Sequence, residues 1–377
     1  MTVPKPNPIP AARPLFPEED MPEILEQIAE VLRGGRLILG PRARELEAEW
    51  ARRVGTRHAV ALSSCTAALE IALRWTKVAG REVVVPTNTF VASANAVGFA
   101  GGRVVFADMN RDDFCVDVDD AIARVTPDTA AMMVVHVAGF VPHKMAELVA
   151  FCRSRRITLV EDCAHAHGAR LGERSVGSLG DIGCWSFYAT KILTSGVGGM
   201  ITTDNEDVAA YARSLRHHGQ GASLEEIVHS GNDWVMDEVR AVLTLAQVRR
   251  LDDFVARRRE VAERYDALFA RRDAYTRPRL APGTFASYYK YPVLLPIGMD
   301  RDGVRAALLR DHGIEMGSLY SPPAHLMPIY RETSPRLPVA EALLPRQITL
   351  PMHAALTPAD ADRSVAALDE VVRSHSR

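Results

Sequence analysis

Between about residues 58 and 205, short apolar, β-branched runs alternate with stretches of helical periodicity, and no other feature constrains the fold as strongly. HAVALS (58–63) precedes TAALEIALRW (66–75), EVVVP (82–86) precedes VASANAVGFA (91–100), and RVVFAD (103–108) precedes DVDDAIARV (117–125). AAMMVVHVAG (130–139), MAELVAFCRSRR (145–156) and ITLVED (157–162) continue the series. Repeated strand–helix–strand units build a mostly parallel sheet with helices on both faces, so the chain is expected to be an α/β protein. After CWSFYATK (184–191) and GGMITTD (198–204), a charged stretch from about Asp237 to Arg272 has apolar residues at helical spacing and reads as a bridge between domains. The last third offers a strand, YYKYPVLLP, and a helix, DGVRAALLRDHG, enough for a small α+β domain. At 377 residues the chain exceeds one ordinary domain. The expected division is a large domain with an N-terminal arm over 1–245 and a small α+β domain over 246–377.

Composition narrows the choice of partner. Apolar residues make up 47% and charged residues 24%, and the formal net charge is −2, so no electrostatic footprint points to nucleic acid or a membrane surface. The partner is expected to be a small molecule. The opening MTVPKPNPIPAARPLFPEED lacks the basic-then-apolar order of a signal peptide, is too rich in proline for a membrane helix, and reads as an extended arm. A cytoplasmic location is expected. The five cysteines (65, 115, 152, 163, 184) include no C-x-x-C pair, and the 12 histidines no H-E-x-x-H. Neither a disulfide framework nor a metal is expected.

In an open parallel sheet ligands sit beyond the carboxyl ends of the strands. Four places qualify: Ser64-Cys65-Thr66, Thr89-Phe90, Asp162 to His165, and Ser186 to Lys191. The first lies where a strand enters a helix, whose free N–H groups could hold a phosphate, although the same residues suit an ordinary helix cap. Asp162 closes an apolar strand, so its carboxylate needs a cationic or hydrogen-bonding partner; a protonated pyridine nitrogen would serve, and so would a capped turn. Lys191 follows an aromatic strand rather than lying on a polar helix face, which suits a desolvated amine able to form a Schiff base, though most lysines are only solvated surface. Taken together, a phosphate site, a buried carboxylate, the Phe90 ring and a lysine on one sheet edge are what pyridoxal phosphate requires.

These residues stand in longer motifs. LRGGRLILGP, ALSSCTAALEIAL, VVVPTNTFVASANAV, EDCAHAHGA, GDIGCWSFYATK, GNDWVMDEVRAVLTLAQVRRLD, LYSPPAHLMPIY and LPRQITLPMH occur in that order across nearly the whole chain. With them the chain resembles the DegT/StrS-type sugar aminotransferases, a branch of the fold-type I pyridoxal-phosphate enzymes. The resemblance implies that Lys191 forms the Schiff base and moves the proton, that Asp162 pairs with the pyridine nitrogen, and that His165 contacts the ring hydroxyl. It implies that Phe90 stacks on the ring and that Ser186, Thr66 and Cys65, the last through its backbone N–H, hold the phosphate. His325 corresponds to a histidine near the substrate end of the pocket, while His167 reads as structural. The family works as a homodimer in which the loop holding Asn232 reaches the partner's phosphate. An amino-acid donor and a keto sugar, nucleotide-linked or a related keto-cyclitol, are the implied substrates.

Two positions depart from the family pattern. Where relatives read G-x-N-x-R-M this chain has Gly231, Asn232, Asp233, Trp234, Val235 and Met236, and where they read Gly-Glu-Gly-Gly it has Val197. Asp233 beside a phosphate would repel it, so Asn232 is the expected contact. The lost Glu and Arg either formed a pair exchanged for an apolar contact, or the Arg held the donor's carboxylate. Two other functions compete: a sugar dehydratase of the same fold, in which histidine replaces the lysine, and a cofactor-binding regulatory protein without turnover.

Overall fold

The computed structural model describes residues 7–223 and 225–375; the first six residues of the proline-rich arm lie outside it. Residues 7–17 carry no regular element, but Ile9 pairs in parallel with Ile314. Besides short 3-10 turns, twelve α-helices follow among the described residues: α1 (Met21–Gly34), α2 (Pro41–Val54), α3 (Cys65–Trp75), α4 (Val91–Phe99), α5 (Val118–Ala123), α6 (Met145–Arg155), α7 (Glu206–Leu215), α8 (Glu238–Arg249), α9 (Leu251–Phe269), α10 (Arg301–His312), α11 (Pro338–Leu343) and α12 (Pro358–His375). The strands are β1 (His58–Leu62), β2 (Glu82–Pro86), β3 (Arg103–Ala107), β4 (Thr129–Val135), β5 (Thr158–Asp162), β6 (Arg170–Leu171), β7 (Arg174–Ser175), β8 (Ile182–Ser186), β9 (Gly199–Thr203), β10 (Thr284–Phe285), β11 (Tyr291–Leu294) and β12 (Gln347–Leu350).

Seven strands form one sheet in the order β1-β9-β8-β5-β4-β2-β3. All neighbours in it are parallel except those of β9, which runs against both β1 and β8. With β9 alone reversed, the carboxyl ends of β1, β2, β4, β5 and β8 open on one edge, and β9 starts there. All seven residues of β4 are buried, as a strand covered on both faces requires.

Alternate residues of the strands feed two packed layers, following the period of two. Ala59, Ala61, Val84, Leu159 and Trp185 join Leu46, Trp50, Phe187 and Leu245 in one layer. Val60, Leu62, Val83, Val85 and Val160 join Leu69, Ile71 and Leu215 in the other. A further core gathers Ile9, Tyr265, Phe269, Tyr291, Val293, Leu308, Ile348 and Leu368 around the β11–β12 pair. Helix α9 serves both regions: Leu251, Phe254 and Val255 pack in the first, Val261, Tyr265 and Phe269 in the last. The charged stretch expected to bridge two regions is thus two helices meeting at Arg250.

Side chains close several helix ends, most of them from the residue just before the helix. Ser64, Asp117, Asn205, Asp237 and Asp300 cap the helices that follow them. Helix α2 has no cap of its own; the fully buried Glu238 carboxylate accepts from the N–H groups of Gly40, Arg42 and Ala43 at 2.9, 2.8 and 3.0 Å. Each such donor left without an acceptor would cost about 1–3 kcal/mol.

Candidate active site

The carboxyl-edge turns of the sheet enclose a cavity of about 450 Å³. Its walls include Cys65, Thr66, Phe90, Asp162, His165, Ser186 and Lys191, so seven of the residues singled out from the sequence share one space. Asn232 and His325 are not among the lining residues.

Ser64 caps α3 by accepting from the Ala67 N–H at 3.1 Å, as the ordinary helix-cap reading expects. The Cys65 and Thr66 N–H groups have no backbone partner among the described residues and stay available at the positive end of the helix dipole. This end lies hard against β9. A Cβ built on Gly199 would stand 2.2 Å from the Ser64 carbonyl carbon, so only glycine permits the approach. The two readings of Ser64-Cys65-Thr66 are compatible: one residue caps, and the next two offer donors. Ser186 ends β8, buried beside them. Burial pushes the Cys65 thiol well up, which leaves its backbone as its polar offering.

Asp162 is 5% exposed. Its Oδ2 accepts from Ser93 Oγ at 2.8 Å and its Oδ1 from the Ala164 N–H at 3.1 Å. Burial pushes its carboxyl above the usual range, while the Ser93 and Ala164 bonds and the Lys191 charge act the other way. A buried carboxylate with those two donors still lacks a close cation. Its neighbour Glu161 points to the opposite face and is saturated, accepting from Gly177, Leu179 and Gly180 N–H groups and from His136 Nε2 at 2.6–2.9 Å. His136, Glu161 and Cys163 offer ligand atoms within 4.8 Å of one another, but that carboxylate is already spent on backbone donors.

Lys191 lies within a loop that folds back on itself. Phe187 exchanges bonds with Gly198 and Ser195, and the Lys191 N–H donates to the Tyr188 carbonyl. The Lys191 amine stands 4.8 Å from the centroid of the Tyr289 ring. Tyr289 is held at its backbone by Arg258 and at its hydroxyl by Thr190, 3.1 Å away. Burial would raise the Tyr289 phenol, but Lys191, Lys290 and Arg258 outweigh it and leave it below its ordinary value.

His165 accepts from the Ala138 N–H through Nδ1 at 3.3 Å, so its proton sits on Nε2, which faces the Tyr320 hydroxyl at 2.9 Å. Burial and the Lys191 charge hold this ring neutral, its pKa well below the ordinary value. Phe90 is 60% exposed at the mouth, with Tyr188 and Val197 beside it. Ser93, Tyr289 and Tyr320 escaped the reading of the sequence. Ser93 lies one turn beyond Phe90 on α4 and could have been found from that spacing; nothing local places the two tyrosines, which come from the last third.

The remaining candidates lie elsewhere. His325 is 1% exposed, with Nδ1 2.6 Å from Thr87 Oγ1 and Nε2 3.3 Å from Glu341. Its bonds hold the turn leading to Phe90 from behind. Asn232 is exposed; its backbone pairs with Leu215 and His218, and its Oδ1 accepts from the Asp233 N–H. His167 is buried among Trp50, Trp185 and Phe187, where burial pushes its pKa down to about 3.

Helix-end donors beside a serine, a buried carboxylate lacking a close cation, an aromatic at the mouth and an amine fit a phosphorylated pyridine aldehyde such as pyridoxal phosphate. Comparison with known proteins agrees. The model of the DegT/DnrJ/EryC1/StrS aminotransferase family matches residues 18–369. A dTDP-4-dehydro-2,3,6-trideoxy-D-glucose 4-aminotransferase of Saccharopolyspora spinosa is 34% identical over 94% of this chain and 95% of its own. The aminotransferase TlmJ of Streptoalloteichus hindustanus superposes with a TM-score of 0.91 at 33% identity, covering 98% of this chain and 100% of that one. Spr1654 of Streptococcus pneumoniae, solved in a PLP-form, gives a TM-score of 0.89 at 28% identity over 98% and 99% of the two chains. The chain therefore belongs to the DegT/DnrJ/EryC1/StrS aminotransferase family.

Proposed function

We propose that this aminotransferase uses pyridoxal phosphate to move an amino group from an amino-acid donor, glutamate first, to a keto sugar, nucleotide-linked or a related keto-cyclitol. The observation that carries the reading is the presence, in one cavity, of the Lys191 amine, the buried Asp162 carboxylate and the donor end of α3. Bound pyridoxal phosphate supplies an electron sink for the bonds broken at the amino-bearing carbon. The chain's residues do the rest. Lys191 anchors the group and moves a proton to and from that carbon, and Asp162 keeps a proton on the ring nitrogen by pairing with its charge. The Cys65 N–H, Thr66 and Ser186 hold the phosphate, the His165 Nε2–H is shared between the Tyr320 hydroxyl and the ring hydroxyl, and Phe90 covers the ring face. His325 acts on the substrate end through Thr87 and the turn it holds. A dehydratase of this fold would carry histidine where Lys191 stands.

The same proposal assigns residues 1–245 to a cofactor-binding domain and 246–377 to a small domain. It places the protein in the cytoplasm as a homodimer, with no nucleic acid, membrane or metal as partner. No helix among the described residues is long and apolar enough to cross a membrane. Asn232 is taken to reach the partner's phosphate. Asn232→Ala should then weaken cofactor retention about tenfold, the loss of one charge-assisted hydrogen bond. Sedimentation that finds a cofactor-saturated, active monomer would contradict the assembly.

Val197 lines the mouth at 38% exposure, and Lys191 is the sole Lys or Arg side chain among the lining residues. The family arginine, valine here at 235, is read as a ligand for the donor's carboxylate. Val235→Arg should then speed the glutamate half-reaction about tenfold at unchanged melting temperature, through a bidentate contact. Val197→Glu alone should slow it, because an unpaired carboxylate in that wall repels the donor's own. A double-mutant cycle read in both melting temperature and half-reaction rate decides. Recovery of stability only in the double variant would make the family pair structural. A chain that binds pyridoxal phosphate yet shows no spectral change with any amino donor would be the regulatory protein instead.

A further inference from the structure

We propose that Ser93 is a positioning residue for the transfer reaction: with Thr89 it forms a one-directional hydroxyl relay that fixes the Asp162 carboxylate and leaves its charge to a protonated heterocycle in the cavity. The inference rests on reading the cavity as a pyridoxal phosphate site.

The geometry fixes the direction of each proton. An ionised carboxylate can only accept, so the Ser93 hydroxyl must donate across the 2.8 Å to Asp162 Oδ2. Ser93 Oγ is then the acceptor in its 2.7 Å contact with Thr89 Oγ1, which commits the single hydroxyl proton of Thr89 to the relay. Thr89 lines the cavity, and any ligand group bonding its oxygen must therefore itself be a donor. Local structure enforces the spacing. Phe90 caps the start of α4 and the Ser93 N–H bonds the Phe90 carbonyl, so Thr89 and Ser93 stand on either side of one helical turn. Both are buried, at 2% and 0% exposure, and hydrogen bonds in such a medium polarise one another.

The relay leaves Asp162 one protein donor on each oxygen, Ser93 on Oδ2 and the Ala164 N–H on Oδ1. Lone pairs remain for a cation arriving from the cavity. Burial favours the neutral acid, and the Ser93 bond is the foremost influence against it. Without that bond the acid would keep its proton at higher pH, and a neutral acid cannot hold a cation. The other titratable groups facing Asp162 are Lys191, His136, the Tyr320 phenol and the thiols of Cys65, Cys163 and Cys184. Burial pushes the phenol and the three thiols well up, so all four stay neutral as the acid titrates.

The test uses wild type, Ser93→Ala, Thr89→Val and the double variant, each reconstituted with pyridoxal phosphate. The near-visible absorption is followed against pH, alongside cofactor retention on dialysis and melting temperature. Ser93→Ala should move the acid-side midpoint up by about one pH unit and weaken retention about tenfold, the scale of one hydrogen bond to a charged group. Thr89→Val should move it the same way by less, and the double variant no further than Ser93→Ala, because the relay is already cut next to Asp162. A midpoint that coincides with wild type while the melting temperature falls would make Ser93 a packing residue and overturn the relay. Should Ser93→Ala fail to fold, an unmoved midpoint in Thr89→Val overturns it equally. Wild type that does not take up pyridoxal phosphate would instead defeat the reading of the cavity.

Discussion

Lys191→Ala should lose the near-visible absorption of a lysine-bound cofactor and slow amino transfer roughly 10⁴-fold, the upper range for removing a positioned acid–base group. Among the described residues no other lysine or arginine lines the cavity. Folding should survive, because the amine lies over the Tyr289 ring at the cavity wall and Lys191 is not itself one of the packed apolar residues. Spectra and single-turnover rates on the purified variant are the check. Turnover at the wild-type rate would sink the proposed mechanism, whereas a slow residual reaction accelerated by an added small amine would support it.

Asp162→Asn should still bind pyridoxal phosphate through the α3 end and Lys191 but react roughly 10²–10³-fold more slowly, the scale for losing one preorganised electrostatic partner. A neutral amide of nearly the same shape can keep the Ala164 N–H bond, yet cannot stabilise a charged ring nitrogen. The effect should fall on the half-reaction rate more than on cofactor retention. Equal single-turnover rates would leave Asp162 as no more than a structural cap for the turn at Ala164.

Legibility from the sequence followed the range of the interactions. Strands β1, β2, β3 and β5 fell within runs recognisable from composition: β1, β2 and β5 are buried from their second residue on and read as largely apolar stretches, while β3, exposed or half-buried over its first three residues, still ends in the buried Phe106 and Ala107. Their carboxyl ends could be inspected directly, and Cys65, Phe90, Asp162, His165, Ser186 and Lys191 were found there. The reversed direction of β9 could not be read, since GMITTD has the same pattern whichever way it runs. Nor could the role of Ser64 be decided, because a capping serine and a ligand-holding helix end share one local sequence, and here both features are present. Tyr289 and Tyr320 reach the cavity only because the last third folds back over the sheet edge. Their contacts with Lys191 and His165 span nearly a hundred residues or more. His325 shows the converse: it sits in a segment typical of its family, but the fold sets it behind the Thr87 turn, with its ring bonded to Thr87 and Glu341.

The Glu238 carboxylate at the head of α2 bears on the order of events during synthesis. Its partners Gly40, Arg42 and Ala43 leave the ribosome almost two hundred residues ahead of it. Until α8 has emerged, the start of α2 has only water to satisfy its donors, and the loop that must close to change this is long. The nascent first half can form local strands and helices, but α2 cannot dock with a satisfied end. Apolar residues such as Leu46 and Trp50 must wait with it, since the layer they join includes Leu245 of α8. A waiting interval of this kind exposes sticky surface, so yield at high expression rates should depend on chaperone supply more than the finished protein's stability would suggest.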